Sequence, residues 1–361
     1  MVNQALHHIL SSNHYRQGRG VISLIGDEAA ARGKHALLLG DTGGLNACEE
    51  SVLKGLRTRH MAYTTVVFQT ECSFQERGKL EQVCAENGCD LIIGLGGGKC
   101  MDLAKAAAEI MELPIITVPS IAATCAACTP LSIMYQPSGR TDRSLPLNRG
   151  VDVCLADTDI LLKAPPGTLA SGIADSLAKH QEIMCGSASL ACAQTDAGRY
   201  GAYCIALAID HILYEKAIEA YESCRTQIWS REFEDVVYTI LSLTALCSGL
   251  VSGAGQLALA HSFNDAVHDQ YPAAARDHLH GEIVGVGTVL QMAVNESTQL
   301  EQYQNLLREL HLAVSVDQLG IPAETDTMRK IEEYLSGRMG ANREVLAPQV
   351  HRGLKTLFRL Q

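Results

Sequence analysis

The stretch "TCAAC" (residues 124–128) sets Cys125 and Cys128 at a spacing shared by zinc sites and thiol–disulfide centres. Two thiols can equally sit inside a site whose chemistry belongs to other residues. Stronger ligand material lies downstream. Asp175 comes early in "SGIADSLAKHQE" (171–182), His261 falls within "LALAHSFNDAVHDQ" (257–270), and His280 falls within "DHLHGEIVGVG" (277–287). One carboxylate and two imidazoles from separate elements suit a divalent ion and leave coordination positions open for a substrate oxygen. Rival sets exist, because the chain has 13 histidines. His261, Asp265 and His268 share one helix face at i, i+4 and i+7, and His278 competes with His280. Spacing alone does not choose among them.

A second chemistry is written in "LIIGLGGGKCMDLAKA". Gly94, Gly96, Gly97 and Gly98 sit where an apolar strand gives way to a helix, followed by Lys99 and Asp102. Glycines allow close backbone approach to a pyrophosphate, and a helix N-terminus supplies free N–H donors. The run is not a GxGxxG fingerprint, and a ligand-free tight turn would also use glycines. Its strand–glycine–helix context favours phosphate binding. Asp41 ends an earlier apolar strand, where a carboxylate can accept from an adenosine ribose and repel a 2′-phosphate, or simply cap the next helix. If a dinucleotide binds, Asp41 favours NAD(H) over NADP(H).

These residues need a frame. "KHALLLGD" (34–41), "AYTTVVFQ" (62–69), "CDLIIGLGGG" (89–98), "LPIITVPS" (113–120) and "GVDVCLAD" (150–157) read as strands separated by helical stretches. That alternation predicts βαβ units on a parallel sheet, with an excursion turning near Pro137–Gly139. After Pro165 and Pro166 the texture becomes helical, as in "FEDVVYTILSLTALCSGL". The expected organisation is an α/β dinucleotide-binding domain (1–160) followed by an all-α metal- and substrate-binding domain (161–361). A length of 361 residues fits two domains.

A formal charge of −11 argues against nucleic acid as the partner, and no apolar run suggests a membrane span. The first twenty residues lack a signal-peptide pattern. Thirteen scattered cysteines fit reduced thiols used as small apolar groups in a cytoplasm.

Taken in order, "IIGLGGGKCMDLAKAAA", "LPIITVPSIAATCAACTPLSIMYQPSGR", "APPGTLASGIADSLAK", "AHSFND" and "HLHGE" resemble the group III, iron-containing type alcohol dehydrogenases, in the glycerol dehydrogenase branch. The resemblance spans residues 15–295 and implies the same two-domain architecture, with a site in the cleft. It implies metal ligands at Asp175, His261 and His280, and a phosphate loop at Gly96, Gly97 and Gly98, with Lys99 and Asp102 next in the motif. It places Ser120, Thr124, Thr129, Leu131 and Tyr135 in the segment that contacts cofactor and substrate. One divalent metal is implied, zinc first, with iron, manganese or nickel as alternatives. Homo-oligomers are the family habit.

Glycerol dehydrogenases carry an aspartate where this chain has Cys125, and "IAATCAA-TPLS" is similar to a hydroxycarboxylate dehydrogenase subgroup. A neutral thiol removes the repulsion that an aspartate would exert on a carboxylate substrate. Cys128 then reads as a packing residue. The resulting expectation is an NAD(P)(H) oxidoreductase interconverting small 2-oxo acids and 2-hydroxy acids. A glycerol or polyol dehydrogenase is the nearest rival, ahead of a dehydroquinate synthase-like lyase and a non-catalytic nucleotide binder. Two departures stand out. The hydroxycarboxylate subgroup lacks an acid at the Asp41 position and favours NADPH. Where the family often has a second histidine shortly after His261, this chain has Asn264 and Asp265.

Overall fold

The computed structural model describes residues 9–184, 190–251, 258–339 and 343–359. The opening residues used for the signal-peptide reading lie partly outside this set. Strands β1 (His14–Gly18), β2 (His35–Asp41), β3 (Ala62–Phe68), β4 (Leu91–Gly96), β5 (Ile115–Pro119) and β8 (Val153–Asp157) form one parallel sheet, ordered β1-β8-β5-β4-β2-β3. Its inner strands carry continuous apolar runs because both faces are covered. Ala36, Leu38, Leu91 and Ile93 pack toward α1 (Ile25–Ala30) and α2 (Thr42–Thr58). Leu37, Leu39 and Ile92 face the other way, into a core shared with α3 (Phe74–Asn87), α4 (Gly98–Met111) and the helical half.

β2 continues outward to β3, whereas β4 returns to the other side of β2. The strand order therefore reverses between β2 and β4, and the crevice beyond their carboxyl ends is where open α/β sheets bind ligands. Asp41 and Gly96 end these two strands. β1 was not read from the sequence. "HYRQG" is polar and partly exposed, and it adds to β8 as an edge strand.

The predicted excursion is an antiparallel hairpin, β6 (Leu131–Tyr135) and β7 (Thr141–Pro146). From Thr158 onward every described regular element is helical. These helices are α5 (Thr158–Leu162), α6 (Pro166–Met184), α7 (Ala197–Thr226), α8 (Arg231–Tyr238), α9 (Thr244–Val251), α10 (Leu259–Gln270), α11 (Pro272–Asp277), α12 (His280–Val294), α13 (Leu300–Glu309), α14 (Thr325–Arg338) and α15 (Arg343–Phe358). Helix α6 is the central one. It starts on Pro166, which fits a first helical turn where no N–H partner is needed, and is buried nearly end to end between α7 and α12.

The hairpin reaches across to α10. Thr141 Oγ1 donates to Asp265 Oδ1 at 3.2 Å, His268 Nδ1 lies 3.3 Å from the Gly139 carbonyl, and Arg140 pairs with Asp269. The sheet half thus grips the helix that carries His261. The segment Arg231–Val251, which contains the helical run "FEDVVYTILSLTALCSGL", has the length and composition of a membrane span. It passes through α8, a π-turn and α9, packs against α7, and has 56% of its apolar window buried within the protein, as a core helix would.

Candidate active site

Gly96 has a φ of +151°, a conformation that side chains rarely adopt, and a Cβ there would lie 2.2 Å from Asp41 Oδ2. Only glycine fits both demands. Gly97 follows at the N-cap of α4 with no side chain to offer, so the first turn presents N–H donors to an anion. Gly96, Gly97, Gly98 and Thr124 line one small recess there. Asp41 Oδ1 accepts the Gly44 N–H at 2.6 Å, and Oδ2 accepts the Gly97 N–H at 2.8 Å. The carboxylate caps α2 and fastens the glycine loop across the switch point. Any role in choosing NAD must share a group already committed to two backbone donors.

The expected cofactor residues divide. Lys99, Thr124, Leu131 and Tyr135 line a cavity of about 650 Å³ that also holds the metal-ligand candidates. Within it Lys99 pairs with Glu71 at 2.6 Å and lies 4.9 Å above the Tyr135 ring. Ser120 is buried, its N–H donating to the Gly96 carbonyl at 3.0 Å, and it does not line the cavity. Thr129 lines the same cavity, as does Asp102, which is also braced from within. Its carboxylate pairs with the fully buried Lys105 at 2.9 Å and accepts the Ile133 N–H at 3.1 Å. Lys105 also donates to the Thr129 carbonyl at 3.0 Å, to Thr129 Oγ1 at 3.3 Å and to the Leu131 carbonyl. Thr129 is accordingly held by this lysine. The Asp102–Lys105 pair fixes the 129–131 wall of the cavity.

Asp175 Oδ1 lies 3.2 Å from His261 Nε2 and 3.8 Å from His280 Nε2. These three side chains form the only such metal-ligating group among the described residues, their ligand atoms all within 4.8 Å of one another. Asp175 comes from α6, His261 from α10 and His280 from the first turn of α12. The rival set does not assemble: Asp265 and His268 engage the hairpin, and His278 bonds Glu282 at 2.9 Å.

Glu182, also on α6, accepts from His261 Nδ1 at 2.8 and 2.9 Å and from the His261 backbone N–H at 2.9 Å. A carboxylate behind the far ring nitrogen leaves Nε2 aimed at the ligand group, the arrangement used behind metal-binding histidines. The chemistry and convergence of the donor set therefore fit a divalent cation. Burial opposes the charge of Asp175, but Lys179 and the two imidazoles hold it well below the usual carboxylate range. Burial likewise pulls His261 down, yet Glu182 and Asp175 lift it to about 9. Burial, with repulsion from His261 and Lys179, lowers His280 to about 4.

Lys179 and Glu182 were missed from sequence, although they stand four and seven positions after Asp175 on the same helix face. Lys179 lines the cavity, its Nζ 3.3 Å from His261 Nε2. Burial works against its charge, but Asp175 and Glu182 raise it to about 12.

Cys125 forms a buried part of the cavity wall. Burial and the nearby Asp175 charge push its thiol up to about 11, so it is neutral near pH 7 and is not an activated nucleophile. Cys128 is fully buried, next to Cys154. The CxxC pair is not a metal or redox centre in this structure: one thiol faces the cavity and the other packs.

A glycine loop at a sheet switch point, its helix lining a cavity with an Asp-His-His group, has the layout of a nucleotide-dependent, metal-site enzyme class. Residues 12–157 match the iron-containing alcohol dehydrogenase family. A glycerol dehydrogenase of Pseudomonas putida is 31% identical over 330 residues, 90% of this chain and 88% of that protein. Hydroxycarboxylate dehydrogenase A of Escherichia coli is 30% identical over 283 residues, 74% of this chain and 75% of its own. The crystal structure of glycerol dehydrogenase from Schizosaccharomyces pombe superposes with a TM-score of 0.84 at 27% identity, covering 98% of this chain and 91% of that one. The chain belongs to the iron-containing alcohol dehydrogenase family, in its glycerol dehydrogenase branch, and is an oxidoreductase acting on CH–OH groups.

Proposed function

We propose that the protein interconverts a small alcohol bearing a neighbouring oxygen function with its carbonyl compound, using NAD(H) or NADP(H) and a divalent metal. The observation that carries this reading is the convergence of Asp175, His261 and His280 in the cavity that the glycine-loop helix also lines. A metal ion held by these three residues, zinc first and iron, manganese or nickel otherwise, supplies Lewis acidity to the substrate oxygen, and a bound nicotinamide supplies hydride chemistry. The chain's own contribution is placement. Gly98 and the rest of the first turn of α4 offer N–H donors to a diphosphate, Lys105 braces the 129–131 wall, and Glu182 fixes the His261 ring. Cys125 gives the substrate a neutral wall.

The names of the relatives favour the glycerol–dihydroxyacetone pair as substrate type over the 2-oxo acid reading made from sequence. The oxo-acid reading keeps one specific support, the neutral Cys125 thiol, and a relative named for hydroxycarboxylates. The test is NADH and NADPH oxidation by metal-loaded protein with dihydroxyacetone and, separately, 2-oxobutanoate. Turnover of either supports the proposal and their ratio ranks the two readings. Turnover of neither, with metal and cofactor both bound, refutes it.

A further inference from the structure

Lys179 is a cation placed in the cavity, and no carboxylate of the described residues forms an ion pair with it. Its partner within hydrogen-bond distance is His261 Nε2, at 3.3 Å, which is a metal-ligand candidate and no counter-charge. The nearest compensating charges are those of Asp175 and Glu182, at longer range. Both are already spoken for. Asp175 belongs to the ligand group, and Glu182 holds the His261 ring through both oxygens. A divalent ion brings two positive charges, which cancel those two carboxylates, and the ammonium of Lys179 is left over. A surplus charge in a largely buried site is costly until a ligand of opposite sign completes it. Cys125, which lines the same cavity close enough to interact electrostatically with Lys179, adds no negative charge of its own.

We propose that Lys179 is a specificity-determining residue that docks an anionic substituent, a carboxylate first, on the carbon next to the reacting one. This rests on the oxidoreductase reading and names a substrate class within it. The cavity admits neutral hydroxyketones and prefers their carboxylate counterparts, 2-oxo and 2-hydroxy acids. Nζ lies 3.3 Å from His261 Nε2, at the edge of the ligand cluster, so a substituent on the carbon next to the reacting one comes within its reach.

The test uses a matched pair of non-reducible ligands, oxamate (one carboxylate) and oxamide (neutral). Each is titrated calorimetrically into metal- and NADH-loaded wild type, Lys179→Met and Lys179→Arg. Wild type is expected to bind oxamate more tightly than oxamide. Lys179→Met is expected to lose about ten- to a hundredfold in oxamate affinity, the scale of one charge-assisted hydrogen bond, with little change for oxamide. Lys179→Arg should recover most of the loss. In turnover, Lys179→Met should lower the ratio of kcat/KM for 2-oxobutanoate to that for dihydroxyacetone, chiefly through KM. Oxamate binding wild type no better than oxamide overturns the proposal without any variant. So does a Lys179→Met protein that binds oxamate normally, or one that loses both ligands equally. If wild type turns over neither substrate, the oxidoreductase reading of this site fails, while the oxamate comparison still decides the role of Lys179.

Discussion

Gly281 is the position at which a single methyl group would do most damage to the ligand group. It follows His280 in the first turn of α12, and its N–H donates to Ser171 Oγ on α6 at 3.0 Å. A Cβ built there would lie 1.9 Å from the Ser171 carbonyl oxygen, against a floor of about 3.0 Å for real contacts. Gly281→Ala therefore forces the two helices apart by roughly 1.1 Å, the difference between those distances. Ser171 sits one turn before Asp175, so the displacement acts directly on the gap between Asp175 and His280, 3.8 Å in this structure. Metal–ligand distances tolerate only about 0.2 Å. The variant should lose at least about tenfold in divalent-metal affinity and about 1–3 kcal/mol of stability, as overpacked cores do. Competition with a fluorescent chelator and thermal unfolding of the metal-free protein measure the two effects separately. A Gly281→Ala protein with parental metal affinity and parental Tm would refute the claim that α6–α12 contact sets the ligand geometry.

Other outcomes follow from the same contacts. Glu182→Gln removes the charge behind His261 while keeping an acceptor, and should weaken metal binding about ten- to a hundredfold in the same competition assay. Lys105→Met strands the buried Asp102 carboxylate and should cost about 3–5 kcal/mol in urea unfolding, much of it regained in Asp102→Asn/Lys105→Met; a loss below about 1 kcal/mol would contradict the bracing role. Glu28 lies between Arg16 at 2.9 Å and Arg32 at 2.7 Å; burial opposes its charge, but the two guanidiniums prevail and hold its folded value below the ordinary 4.5. Its contribution is complete above the ordinary glutamate value and is lost as pH falls through the depressed one. Glu28→Gln should accordingly flatten the acid limb of a stability–pH curve, and an unchanged limb would count against the pair.

Much of this frame was legible because the sheet is buried on both faces. "HALLLGD", "LIIGLG" and "IITVP" carry continuous apolar runs that only covered strands sustain, and the glycines mark where β4 must end. β1 carried no such signal, since an edge strand tolerates the polar "HYRQG". The three metal-ligand candidates were present in the sequence but not separable from Asp265, His268 and His278 by spacing. The choice is made by tertiary packing, which turns the Asp265 face of α10 toward the hairpin and His261 toward α6. Lys179, Glu182 and Lys105 were passed over for a related reason. Charged residues at i+3, i+4 or i+7 in a helix ordinarily mark a solvated face, and only the burial of α4 and α6 against other elements makes these three part of the site. Asp41 shows the converse: a residue read for its reach to a ligand also accepts two backbone N–H groups, a structural duty that only the fold displays.

The proposed activity requires that Asp175, His261 and His280 hold one divalent ion on which turnover depends. The direct measurement is metal content per chain, together with NAD(P)H oxidation, for wild type and Asp175→Asn after chelator stripping and after zinc addition. The prediction is one ion per wild-type chain, activity lost on stripping and regained with zinc, and neither ion nor activity in Asp175→Asn. Full turnover by stripped wild type, or by Asp175→Asn, would contradict it.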